Sequence, residues 1–220
     1  MKELLNELNN YIEEINQKFI ISHLGVMNPP QIYKIDVFSY CVLGHAAIEN
    51  YLEKIALYLM TKSIENCQKN NYINMSLLSL VGQSNTRLLE TPDIKLITEG
   101  KLNYFPHYFE KFITKIKNEF STLINNNHGI NLEYIYKILL PLGINIPIDP
   151  NIINSLDKLS KSRGEYAHKS PRFIKKILVP EDALIYVNDC IKLCENINQQ
   201  VCDIIDLETD ILYYSGNDYY

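Results

Sequence analysis

The sequence predicts an all-α protein. Apolar residues recur at intervals of three and four along most of the chain, and no stretch alternates apolar and polar residues as a half-buried strand would. Proline- and glycine-marked breaks separate the periodic stretches. No internal repeat and no low-complexity linker divides the 220 residues, so the chain reads as one domain, large enough to bury a substantial core without disulfides or metals.

Taken in order, Met1 to about Ile21 is an amphipathic helix, with Leu4, Leu8, Tyr11, Ile12, Ile15 and Phe19 on one face. Gly25 and Pro29-Pro30 end it. Asp36 is placed to cap a long second helix running to about Lys62, with Phe38, Cys41, Val42, Ile48, Leu52, Ile55 and Leu59 as its apolar face. Ile64 to Leu89 is expected to be helical, with a break at Asn70-Asn71. Pro92 and Gly100 mark turns around a short helix. Phe105 to about Asn125 follows helical spacing through Phe109, Phe112, Ile113, Ile116, Phe120 and Ile124. Asn131 can cap a short helix that Pro141 stops. Ile152 to about His168 is the next helix, with Ile153, Leu156 and Leu159 as its stripe and Pro171 beyond its end. Pro180-Glu181-Asp182 opens a last long helix through Leu184, Val187, Ile191, Cys194, Val201, Ile204 and Ile205. A loose tail is expected from residue 213 to 220.

Composition excludes several classes. Hydrophobic residues make up 46% of the chain, too many for a disordered protein. No apolar run is long enough to span a membrane, and the acidic, helix-patterned N-terminus does not resemble a signal peptide, so a cytoplasmic location is expected. The five cysteines, Cys41, Cys67, Cys190, Cys194 and Cys202, have no C-x-x-C spacing and read as reduced core residues. Cys190 and Cys194 stand one turn apart, but no histidine lies near them in sequence, and His45 with Glu49 reads as a polar pair beside the core rather than a metal pair. No metal or other cofactor is therefore expected.

The formal net charge of −5 argues against a nonspecific nucleic-acid coat, but the charge is unevenly spread. Lys158, Lys161, Arg163, Lys169, Arg172, Lys175 and Lys176 fall in one short segment against a single acid, Glu165. An anion-binding locus and a helix C-terminus dressed with cations would both look like this. Inside that segment Arg163-Gly164-Glu165-Tyr166-Ala167-His168 forms R-x4-H. Two residues five apart lie roughly 140° round a helix, so they share no ridge. At a helix end they can still turn toward one point. The guanidinium is a permanently charged planar fork suited to phosphate, and imidazole is suited to proton transfer near neutral pH. The two suffice for RNA cleavage without metal: the ribose 2′-hydroxyl attacks, the histidine moves protons, and the arginine stabilises charge growing on the phosphate.

The stretch Leu156-Asp157-Lys158-Leu159-Ser160-Lys161-Ser162-Arg163-Gly164-Glu165-Tyr166-Ala167-His168 resembles the L-x-x-L-x-x-x-R-x4-H helix of HEPN domains (higher eukaryotes and prokaryotes nucleotide-binding). Asn127-His128-Gly129-Ile130 and Leu139-Leu140-Pro141-Leu142-Gly143-Ile144 resemble the RiboL-PSP-HEPN bacterial subgroup, and Gly44 to Leu52 is similar to its long second helix. The resemblance implies a helical bundle over residues 1–212, with a helical insertion at about 64–100 that has no recognised counterpart. It implies a two-fold dimer, most simply a homodimer, that brings two R-x4-H motifs into one cleft. It further implies a metal-independent endoribonuclease acting as a toxin or antiviral-defence effector, with RNA as substrate and an antitoxin or defence-system protein as a further partner. Arg163 would bind the scissile phosphate and His168 would be the general acid/base. Lys158, Lys161, Lys169 and Arg172 are the candidate RNA-binding residues, and Glu165, Tyr166 and Glu49 the accessory candidates. The alternative is a non-catalytic HEPN-like RNA-binding or protein-interaction module. Two departures from the family pattern stand out. Gly164 replaces the polar residue usual after the arginine and weakens the helix by about 1 kcal/mol. Ser170 stands where members silenced by a nucleotidyltransferase antitoxin carry tyrosine, so that regulation is not expected.

Overall fold

The computed structural model describes residues 2–26, 33–70, 72–84, 104–126, 128–168 and 178–216, without the side chains of 104–108, 167–168 and 207–216. Among the described residues there are seven α-helices and no strand: α1 (Lys2–Phe19), α2 (Tyr33–Asn70), α3 (Met75–Gln83), α4 (Tyr104–Asn126), α5 (Leu132–Leu139), α6 (Pro150–His168) and α7 (Pro180–Gly216). Short 3-10 turns at Ile21–His23 and Leu140–Leu142 follow α1 and α5. None of these helices is long and apolar enough to cross a membrane.

The 38-residue α2 is the axis of the bundle and packs against all six other helices. Its buried positions go nearly all the way round: Val37, Tyr40, Ile48, Tyr51, Leu52, Ile55 and Leu59 are all at most 1% exposed. A helix apolar on every side can exist in water only if other helices cover it. α1 covers one side with Leu8, Ile12 and Ile15, and α7 another with Val187, Cys194, Ile197 and Val201.

α2 begins earlier and ends later than its sequence signals suggest. Asp36 is not the N-cap: the helix starts at Tyr33, and the Asp36 carboxylate in its first turn lies 2.7 Å from Nε2 of the buried His23. At the other end the apolar spacing continues through Ile64 and Cys67, both buried, so the helix runs past Lys62 to Asn70. The stretch expected as an insertion thus begins inside α2. Leu77 and Leu80 of α3 join the same core, and residues 85–103, with the expected turns at Pro92 and Gly100, lie outside the described residues. So do the tail residues 217–220, while α7 continues to Gly216.

Side-chain caps set the junctions. Asn131 opens α5 by accepting the Tyr134 N–H at 2.8 Å, as its position in the sequence predicts. Asn74 opens α3 by accepting the Leu77 N–H at 2.7 Å and donates to the Ser63 hydroxyl at 2.8 Å, which holds α3 to α2. After Leu139 the chain tightens into a 3-10 turn at Pro141 and reverses at Gly143, whose φ of +74° favours glycine.

Gly44 lies where α2 meets α7 and α1. A β-carbon there would stand 3.2 Å from Val187 Cγ2 and 3.9 Å from Ile12 Cδ1. Valine at this position has to push the neighbouring helix outward. Gly44→Val is expected to lower unfolding stability by about 1–3 kcal/mol, read as a shifted urea midpoint with an unchanged slope.

Candidate active site

α6 is positioned from its first turn. Asp149 accepts the Asn151 N–H at 2.8 Å as the helix begins, and the Ser155 hydroxyl donates to Asp189 of α7 at 2.8 Å in a buried contact. Ile152, Leu156 and Leu159 bury the inner face, with Ile153 half-buried beside them. This seating brings the half-buried Arg163 close enough to α2 for its charge to act on His45. Among the described residues Arg163 enters no ion pair.

His45 is 2% exposed. Burial, and secondarily the positive charge of Arg163, push its pKa down to about 4, so the ring is neutral at neutral pH. It begins a polar ridge on α2: His45, Glu49 and Glu53 follow one another at i, i+4. His45 Nδ1 lies 3.5 Å from Glu49 Oε2, yet has no hydrogen-bond partner. The backbone N–H of Gly129 donates to Glu49 Oε1, and the Tyr134 hydroxyl donates to Glu53 Oε1 at 2.9 Å. Gly129 has a φ of +115°, a conformation that favours glycine, and a β-carbon on it would lie 4.0 Å from His45 Nε2. The loop before α5 therefore closes over the ridge, and its own His128 stays exposed beside the two glutamates.

The residues singled out in the sequence divide into groups. Arg163 is near enough to His45 for its charge to act on the ring, and Glu49 stands one turn from His45 on α2. Glu49 is engaged by Gly129 and faces His45. His168 is the last residue of α6, and its side chain, like Lys169 and Arg172 entirely, lies outside the described residues. Tyr166 is packed in the core: it is 3% exposed, its ring stacks on Phe38 with centroids 5.0 Å apart, and its hydroxyl oxygen accepts the Leu178 N–H at 3.4 Å. Burial raises its pKa, so it stays a neutral phenol. Lys158 and Lys161 are exposed, with Lys161 paired to Asp157 at 2.7 Å, and Glu165 is exposed. No atom crowds the position a side chain would take on Gly164. The sequence reading did not single out Glu53, His128 or Tyr134. The i, i+4 step from Glu49 to Glu53 was a readable signal, but nothing local ties either residue to the loop before α5.

An all-helical bundle with R-x4-H at the C-terminal end of a helix, seated on a long central helix, is the architecture of a HEPN-class domain. A family model described as RiboL-PSP-HEPN matches residues 1–203, and the chain belongs to that family of HEPN domains. No curated protein and no solved structure matches it.

The Tyr134–Glu53 contact is a tie between α5 and α2 that leaves the ring packing alone when removed. Tyr134→Phe deprives a partly buried carboxylate oxygen of its donor, and a loss of about 1–2 kcal/mol in urea unfolding is expected, with the helical circular dichroism of the folded protein unchanged.

Proposed function

We propose that this chain is a metal-independent endoribonuclease of the HEPN type that acts as a toxin or antiviral-defence effector. The observation that carries this reading is the placement of Arg163: half-buried at the end of α6, beside a neutral histidine, and in no ion pair among the described residues. A structural arginine in such a place would be expected to hold a carboxylate. One left without it offers its fork to an anion, and a phosphodiester matches that geometry.

In this reading Arg163 holds the scissile phosphate and stabilises the charge that accumulates on it. His168, five residues on, transfers protons. The 2′-hydroxyl of the RNA attacks the adjacent phosphorus and the 5′-oxygen leaves, giving a 2′,3′-cyclic phosphate. Attack needs a base and departure needs an acid. One imidazole cannot be both at one instant, so a two-fold dimer with two R-x4-H motifs facing one phosphate supplies the pair. Lys158, Lys169 and Arg172 are assigned to the RNA backbone by their charge and place in the sequence, and Lys161 contributes by exchanging Asp157 for phosphate. The second reading, an RNA-binding or protein-interaction module without catalysis, retains the same surface and differs in the chemical step.

Purified protein is expected to cleave RNA in EDTA and to leave 2′,3′-cyclic ends. His168→Ala should abolish cleavage while RNA binding persists, and Arg163→Ala should slow it by about 10²–10³-fold. RNA binding by the wild type without any cleavage would favour the non-catalytic reading. Light scattering is expected to give twice the 25.6 kDa chain mass at micromolar concentration, and a monomer alone would remove the acid–base pairing across the two-fold.

A further inference from the structure

We infer that Glu49, Glu53 and His128 form a binding site for a divalent first-row transition cation, such as Mn²⁺ or Zn²⁺, between α2 and the loop that precedes α5. One ligand-type atom from each of the three residues lies within 4.8 Å of the others. The two carboxylates come from successive turns of one rigid helix, and the imidazole comes from a loop held across from them.

The cluster differs from acids gathered on a surface. Both glutamates are partly buried, and among the described residues no lysine or arginine forms an ion pair with either. Each already has one oxygen fixed by a protein donor: Glu49 by the Gly129 N–H and Glu53 by the Tyr134 hydroxyl. Outer hydrogen bonds of this kind orient ligating carboxylates and leave the second oxygen to the metal. His45 gives an independent sign. It is 2% exposed, and its Nδ1, without a hydrogen-bond partner among the described residues, lies 3.5 Å from the second oxygen of Glu49. A polar atom that deep without a partner marks an arrangement that a further group would complete. A cation drawn between the carboxylates and His128 offsets their mutual repulsion and fixes Glu49 where the His45 N–H can donate to it.

The donor set selects the ion. Two carboxylates and one imidazole suit manganese or zinc, whereas magnesium and calcium are held by oxygen ligands and thiol-rich sites take softer ions. Three protein ligands leave positions for water. The cation is assigned no part in the cleavage step of Arg163 and His168, although Glu49 lies near that site: it joins the loop to α2, and its test uses no RNA.

The test is Mn²⁺ binding to the full chain after EDTA treatment and dialysis, followed by the loss of the free-ion electron paramagnetic resonance signal. Manganese is the probe because it ignores the free cysteines. One ion per chain is expected, displaced by Zn²⁺ but not by excess Mg²⁺. His128→Ala, at an exposed loop position that leaves the core intact, and Glu53→Gln should each weaken binding at least about tenfold. Glu133→Gln, an exposed acid outside the cluster, should leave it unchanged. Absence of binding, displacement by Mg²⁺, or equal binding in the His128→Ala protein overturns the inference. Cleavage in EDTA is decided separately and is unaffected by any of these results.

Discussion

The bundle depends on covering α2. A 38-residue helix with apolar side chains on nearly every side has no stable existence alone, and each other helix contributes a surface to it. The amphipathic helices α1 and α4 have apolar stripes of the ordinary kind, with Leu8, Ile12 and Ile15 on one and Phe112, Ile113, Ile116, Phe120 and Ile124 on the other. They are recruited by the hydrophobic surface that α2 would otherwise expose. At Gly44 the missing side chain lets Val187 of α7 settle against α2. Tyr51 shows how a buried ring on α2 can be satisfied, whereas the hydroxyl of Tyr40, equally buried, has no partner among the described residues. Tyr51 reaches from α2 into α7, with its hydroxyl 3.3 Å from the Cys194 carbonyl and 3.3 Å from Asn198 Oδ1, so a large ring is buried without an orphaned oxygen.

On such a helix, polar residues need a reason. His45, Glu49 and Glu53 form the ridge over which the Gly129 loop and α5 close, and their partners come from that side: a backbone N–H for one glutamate and a tyrosine hydroxyl for the other. The neutral state of His45 follows from two effects acting in the same direction. Burial disfavours an imidazolium, and a guanidinium nearby disfavours it further. The junction between α2 and α6 thus holds one permanent cation, Arg163, beside a neutral ring.

The fold was legible in the sequence because its helices are long and strongly periodic, and all seven lie where apolar spacing puts helical structure. What the sequence misplaced were ends and partners. Asp36 before an apolar run carries the signal of a cap, yet the same carboxylate serves equally as the partner of His23, thirteen residues away, and only packing decides between them. The sequence places the end of α2 at about Lys62, whereas Ile64 and Cys67 continue its buried side to Asn70. Tyr166 shows the limit for the site: inside R-x4-H it reads as a candidate, while its ring is the lid on Phe38. Arg163 and the basic segment could be read directly. The coupling of Arg163 to His45, and of Glu49 to Gly129 across 80 residues, is long-range, and single-sequence patterns carry no such information.

The ridge also sets a field along the site. From His45 to Glu53 is eight residues, about 12 Å of helix. The charge of Arg163 acts at the His45 end, while Glu49 and Glu53 follow at one and two turns along the helix, and partly buried charges are screened less than those in open solvent, where the Debye length is about 8–10 Å. Along this ridge the two carboxylates, one turn apart on α2, repel one another. The repulsion has a cost, since like charges one turn apart on a helix oppose one another in the absence of any anion. Neutralising either carboxylate relieves that opposition. Burial of α2 therefore does more than hold the helices together: it keeps three polar side chains in register, with little solvent between them to mask what each charge does to the next.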